Sequence, residues 1–207
     1  MKPAAPDLVI FDMDDVLCRY DLGKRLRVLS RFSGRSPRDI RAAIWDSGFE
    51  DDSDAGCIGD AEAYLEEFCR RLGKRVTRDQ WIEARRAAMV PDEEVIGIAR
   101  QIKARARLCL FSNNGPLMKQ SFEAIFPAAH GLFGQDFYCS CELKARKPDP
   151  AAYLRLLERL KVDAVRCLFI DDKRSNVEGA VMAGLHGHHF TSRQGLEREA
   201  RSLGLVD

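Results

Sequence analysis

Four short apolar runs, each handing over to a polar residue suited to phosphate or metal, constrain this chain more than any other feature. LVIF leads into Asp12, LCLF into Ser112, FYCS on toward Lys147, and CLFI into Asp171 and Asp172. Runs of Val, Ile, Leu and Phe without polar alternation suit strands buried on both faces, as in a parallel sheet flanked by helices. Ligands of such sheets bind beyond the carboxyl ends of the strands. The four strand ends would bring carboxylates, a hydroxyl and an ammonium into one small space, a site for metal and phosphate.

A chain of 207 residues holds one large domain or a domain with a smaller insert, and 45% hydrophobic content is that of a globular protein. Its 33 Lys and Arg nearly balance 32 Asp and Glu, so a net charge of +1 gives no general field for DNA, RNA or anionic membrane. The basic run Lys24, Arg25, Arg27, Arg31, Arg35, Arg38 and Arg41 has no dense interleaving of aromatics and reads as a solvated helix face. No nucleic-acid or membrane partner is expected. The start MKPAAPDLVIF is too short in apolar residues for a signal peptide or membrane span, so a cytoplasmic location is expected. Seven cysteines, several of them in apolar runs, read as reduced and buried thiols. The pair Cys139 and Cys141 has no second Cys or His pair at zinc-site spacing. His186, His188 and His189 read as strand and edge packing.

The chain divides by period. A strand over 8 to 12 is followed by about eighty residues of helical pattern with no convincing strand. Helices are predicted at about 21 to 33, 37 to 46, 60 to 72 (capped by Asp60) and 78 to 89 (starting at Thr77). From Pro91 helix and strand alternate. Helices are predicted at 92 to 105, 116 to 126, 150 to 161, 174 to 184 and 193 to 203, with strands at 107 to 112, 136 to 140, 166 to 171 and 186 to 190. The expected fold is α/β: a doubly wound, Rossmann-like parallel sheet with an inserted all-α cap. Residues 1–16 and 91–207 form the core and 17–90 the cap, lying over the strand ends.

In DMDDVL, Asp12 and Asp14 lie two apart, which on extended chain puts both carboxylates on one side. A carboxylate can attack phosphorus, and a second carboxylic acid beside it can protonate the leaving oxygen and later accept a proton from water. Two negative groups facing a phosphate need a cation, for which Mg²⁺ with its hard oxygen ligands is suited. Ser112-Asn113-Asn114-Gly115 offers a hydroxyl, amides and backbone donors to a phosphate, and Lys147 before Pro148 offers an ammonium. Each motif also has a plain reading: strand-end turn, helix cap, polar loop, solvated lysine.

DMDDVL, FSNNG, KPDP and FIDDKRSNVEGA together resemble the four motifs of the haloacid dehalogenase superfamily of aspartate-nucleophile phosphotransferases, across the whole chain. The resemblance implies Asp12 as nucleophile, Asp14 as general acid and base, and Ser112, Asn113 and Lys147 as phosphate-binding residues. It implies Mg²⁺ held by Asp12, by Asp14 through its backbone carbonyl, and by Asp172, with Asp171 as supporting ligand or orienting metal-bound water. The helical insert is similar to the cap that follows the first motif in the dehalogenase-like subfamily. Asp171-Asp172 with Asn176, and the turn Gly56-Cys-Ile-Gly-Asp60, resemble the branch containing bacterial α-D-glucose-1-phosphate phosphatase and the phosphatase-like domain of soluble epoxide hydrolase. Asp15 stands where that motif most often has glycine, and Asn176 where many members have an acid.

The resemblance implies a Mg²⁺-dependent phosphomonoesterase acting on a small metabolite phosphate, of which a sugar phosphate is one kind, through an aspartyl-phosphate. A phosphomutase and a catalytically idle phosphate- or partner-binding protein are the alternatives. A true dehalogenase needs no proton donor at Asp14, which argues against that activity. Tyr20, Arg41, Trp45 and Phe49 are the cap residues available to face the site. Oligomeric state is not legible.

Overall fold

The apolar runs become strands because every side chain in them finds a core on one face or the other. In the computed structural model, which describes residues 5–207, β1 is Leu8–Phe11, buried throughout. The first four residues of the expected core segment, and the start of MKPAAPDLVIF with them, lie outside the described residues. β2 (Cys18–Tyr20) and β3 (Met89–Pro91) form an antiparallel pair of their own. The remaining strands are β4 (Arg107–Ser112), β5 (Phe137–Cys139), β6 (Cys167–Asp171) and β7 (His186–His189). With β1 they make a five-stranded sheet in the order β5-β4-β1-β6-β7, every pairing parallel.

The two faces divide the residues as the pleat requires. Leu8, Ile10, Cys109, Phe111, Cys167 and Phe169 pack in one core, and Val9, Phe11, Leu108, Leu110, Leu168 and Ile170 in the other. Burying one such side chain is worth about 1.5–3 kcal/mol, so register is tightly fixed: a one-residue slip would exchange the faces. Phe11 aligns with Leu110 on one side and Ile170 on the other, and Asp12 N–H donates to the Ile170 carbonyl at 2.9 Å. Asp12 therefore leaves the sheet beside Asp171 and close to Ser112.

Between β2 and β3 lie α1 (Leu22–Ser33), α2 (Pro37–Ile44), α3 (Phe49–Asp54), α4 (Ala61–Leu72) and α5 (Arg78–Ala88). Side chains cap four of their N-termini: Asp21 accepts from Lys24 N–H, Ser36 from Asp39, Asp60 from Ala63, and Thr77 from Gln80 in a reciprocal capping box. The core helices are α6 (Glu93–Lys103), α7 (Pro116–Gln120), α8 (Phe122–Ile125), α9 (Pro127–Phe133), α10 (Ser140–Leu143), α11 (Pro150–Leu160), α12 (Arg174–Met182) and α13 (Arg193–Ser202).

Three local differences from the sequence expectation have physical causes. The insert contains strands after all, but β2 and β3 are three residues each, too short for a period to register. Helix α3 reads FEDDSD, with only Phe49 and Ser53 buried, so it carries no apolar stripe. The predicted helix at 116 to 126 is broken into α7 and α8, and α9 restarts at Pro127, whose ring suits a first helical turn. Among the described residues no helix is long and apolar enough to cross a membrane.

Candidate active site

A cavity of about 250 Å³ lies between the strand ends and the helical insert. Core residues Asp12, Asp14, Ser112, Asn113, Lys147 and Asn176 line it from below, and Tyr20, Arg25, Trp45, Glu50 and Arg85 from the insert. All five sequence-predicted catalytic and phosphate-binding residues thus share one space.

Lys147 is the hub of its floor. Its side chain is 1% exposed, and Nζ lies 2.9 Å from Asp12 Oδ1 and 2.7 Å from Asp171 Oδ2, while also donating to the Phe111 carbonyl at 3.1 Å. Burial alone pulls the ammonium down, but Asp12 and Asp171 outweigh it and hold the group above the usual lysine range. Asn113 fixes the lysine's backbone: its Nδ2 donates to the Lys147 carbonyl at 2.8 Å and its Oδ1 accepts from Lys147 N–H at 2.9 Å. The Asn113 side chain thereby holds Lys147 in place, and its second Nδ2 proton is left to donate elsewhere. Ser112 Oγ accepts from Asn114 Nδ2 at 2.9 Å, which leaves its own proton to donate.

Burial pushes the Asp12 carboxyl up to about 7, the Asp171 charge adds to this, and Lys147 opposes it. Asp171, fully buried, is saturated: Oδ1 accepts from Lys173 N–H and Asn176 Nδ2, and Oδ2 from Lys147 Nζ and Asn176 Nδ2. Asn176 in place of an acid is what allows this, since an amide donates where a carboxylate would repel. Asp172 is raised by burial and by the Asp171 charge, and its backbone carbonyl accepts from His189 Nε2 at 2.9 Å. That bond gives one of the strand histidines a part in shaping the site. His186 donates to the Val165 carbonyl at 3.1 Å, and burial pulls His188 down.

Asp12, Asp171 and Asp172 each bring a carboxylate oxygen within 4.8 Å of the others. Asp12 Oδ1 and Asp172 Oδ1 are buried and accept no hydrogen bond; the Lys147 ammonium near Asp12 is an ion pair without hydrogen-bond alignment. Unsatisfied buried carboxylate oxygens are costly. Two carboxylates that each keep such an oxygen, clustered with a third that is already hydrogen-bonded, make a donor set that fits a hard divalent cation. The Asp14 carboxylate stands apart from this group, with Oδ2 taken by Arg85 Nη2 of α5 at 2.7 Å.

Of the four cap residues available to face the site, Tyr20 and Trp45 line the cavity. Phe49 is instead core to the insert, stacked on Tyr64 at 5.1 Å, and Arg41 faces solvent, paired with Asp46 at 3.2 Å. Arg25, read in the basic run as part of a solvated helix face, is instead only 4% exposed, because its helical phase turns it inward; Arg85, 2% exposed, was not singled out. Their signal was present: Arg25 shares a stripe with Leu22, Leu26 and Leu29, and Arg85 with Trp81, Ala84 and Ala88.

The sequence pattern of the haloacid dehalogenase-like hydrolases matches residues 6–184. The chain belongs to that family. Among curated relatives of this hydrolase, the phosphatase MT3486 of Mycobacterium tuberculosis (strain CDC 1551 / Oshkosh) is 28% identical over 96% of this chain and 95% of its own length. Flavin mononucleotide hydrolase 1 of Arabidopsis thaliana is 38% identical over 68 residues, and the chain spans only 28% of that protein's length. A HAD family enzyme of Bacteroides thetaiotaomicron, solved with magnesium and inorganic phosphate, superposes with a TM-score of 0.73 at 20% identity, covering 90% of this chain and 94% of the other. The shared fold is a Rossmann-like parallel sheet with flanking helices.

Proposed function

We propose that this hydrolase is a Mg²⁺-dependent phosphomonoesterase for small metabolite phosphates, with the helical insert 17–90 as a cap and 1–16 with 91–207 as its catalytic core. The convergence of Asp12, Asp14, Ser112 and Lys147 on one small cavity carries the reading. The full-length phosphatase relative and the magnesium and phosphate bound in a structural neighbour support it.

Asp12 attacks phosphorus in line with the leaving oxygen, forming a phosphorus–oxygen bond as the ester bond breaks. Asp14, as the acid, gives its proton to the departing alkoxide. Ser112 and Lys147 donate to the non-bridging phosphoryl oxygens, and Asn113 keeps Lys147 in position. A water then enters, Asp14 as carboxylate takes its proton, and attack at phosphorus breaks the Asp12–phosphorus bond to release inorganic phosphate. Asp12 and Asp172, with the Asp14 carbonyl, would hold Mg²⁺, which supplies positive charge against the crowded oxyanions. Asp171 serves by orienting Lys147, since its oxygens are already bonded. For Asp14 to reach a leaving oxygen, its contact with Arg85 must loosen, which links proton transfer to the position of the cap.

Asp12→Asn abolishes release of inorganic phosphate from a panel of sugar phosphates, nucleotides and short-chain acid phosphates while circular dichroism stays native. Retained steady-state turnover would sink the covalent route. Phosphoryl transfer to a sugar without release of phosphate would identify a mutase instead.

A further inference from the structure

Three buried cations line the cavity, and two have carboxylate partners: Arg85 with Asp14, and Lys147 with Asp12 and Asp171. Arg25, 4% exposed, has no carboxylate within 4.0 Å among the described residues. Its guanidinium carbon lies 5.1 Å from the Trp45 ring and 5.0 Å from the Trp81 ring, and Nη1 donates to the Tyr20 hydroxyl at 3.2 Å. Nε and Nη2 are buried and donate to nothing. Aromatic faces stabilise a cation but accept none of its in-plane N–H groups. Glu50, on the same wall, is engaged by the Tyr64 hydroxyl at 2.7 Å.

The two idle nitrogens form one edge of the guanidinium, the side-on fork that meets a carboxylate with two parallel hydrogen bonds. This chain uses that edge elsewhere: Arg70 grips Glu67 through Nε and Nη2, both at 2.6 Å. Burial works against the Arg25 charge and Glu50 helps to hold it, yet no carboxylate meets the fork itself, and its two unpaired buried donors call for an acceptor from outside.

Resting on the phosphatase reading above, we infer that Arg25 recognises a second oxyanion carried by the alcohol half of the substrate, with the planar carboxylate of a small phosphorylated hydroxy acid the best match. A second phosphate shares this chemistry. Both nitrogens are buried in the present arrangement, so the inference requires the wall of Tyr20, Trp45 and Trp81 around them to open to the ligand. The small cavity limits the alcohol half to a few carbons.

The test uses the full chain carrying Asp12→Asn, titrated calorimetrically with Mg²⁺ present. The ligands are 2-phosphoglycolate, ethyl phosphate and ethanediol bisphosphate. Phosphoglycolate should bind at least about tenfold more tightly than ethyl phosphate, a ratio that falls toward one when Arg25→Met is added. Arg25→Lys, which keeps charge but loses the fork, should retain only part of the preference. Tighter binding of the bisphosphate than of phosphoglycolate would reassign the second oxyanion from carboxylate to phosphate. Without ligand, Arg25→Met should melt no lower than its parent, since it removes unsatisfied buried donors. Equal affinity for phosphoglycolate and ethyl phosphate, or a preference that survives Arg25→Met, overturns the inference. Failure of the wild-type chain to hydrolyse any ester would instead strike the phosphatase reading, and the binding ratios would still report on Arg25.

Discussion

Asp15 occupies the left-handed region, with φ 61°, at the position where related first motifs most often carry glycine. The backbone explains the glycine, and local bonding explains the aspartate: Oδ1 accepts from Tyr20 N–H at 3.0 Å, closing the turn into β2. Asp15→Ala keeps the strained φ and loses the bond, so it should cost about 1–2 kcal/mol in denaturant unfolding. Asp15→Gly should cost less, because relief of φ offsets the lost bond; equal losses would show that strain is unimportant here. At this scale the residues that converge on the cavity were legible: Asp12, Asp14 and Ser112 stand at or just beyond strand ends, and Lys147 follows β5 by one short helix and a loop. The buried arginines were not. Lys24, Arg25 and Arg27 look alike in a charge run, and only the helical phase of Arg25, in line with Leu22, Leu26 and Leu29, separates it from its solvated neighbours.

Among elements, α12 and the loop that presents Lys147 meet with no room to spare. A Cβ on Gly179 would stand 2.0 Å from the Pro148 carbonyl oxygen, which is backbone and cannot step aside cheaply. Gly179→Ala should therefore destabilise by about 1–3 kcal/mol as an overpacking change, and should lower kcat by shifting Lys147. A stable, fully active variant would mean that the loop accommodates the methyl group freely. The insert touches the core through comparable close fits. Gly115, after the Ser112 strand end, lies where a Cβ would come 2.0 Å from Ser53 Oγ of α3, and Ser140 Oγ donates to the Asp54 carbonyl at 2.7 Å. Long periodic helices were readable from the sequence. Helix α3 and the ribbon of β2 and β3 were not, because tertiary partners rather than local pattern select such short pieces.

For the molecule as a whole, the carboxylate cluster makes one contribution to how stability depends on pH. Asp12 in the folded protein is raised to about 7, chiefly by burial, above its ordinary value of about 4. A raised carboxyl favours the folded state below its unfolded value, and that favour is lost as pH climbs through the folded value. Metal-free protein should therefore lose melting temperature between about pH 4 and about pH 7, a loss that Asp12→Asn flattens. Mg²⁺ needs ionised carboxylates, so its stabilising effect should grow across the same window. Scanning fluorimetry at both ends, with chelator or with Mg²⁺, checks this; a Mg²⁺ shift larger in acid would contradict the site. The parallel sheet was legible at this scale, since double-faced burial leaves no polar alternation. How the insert is tethered was not. Cys18 pairs with Pro91 and Tyr20 with Met89, so the chain leaves for the insert and returns from it along hydrogen-bonded neighbours. In engineering terms the ribbon is a splice junction: residues 21–88 could be exchanged for another helical segment with adjacent ends while every strand pairing of the main sheet stays intact.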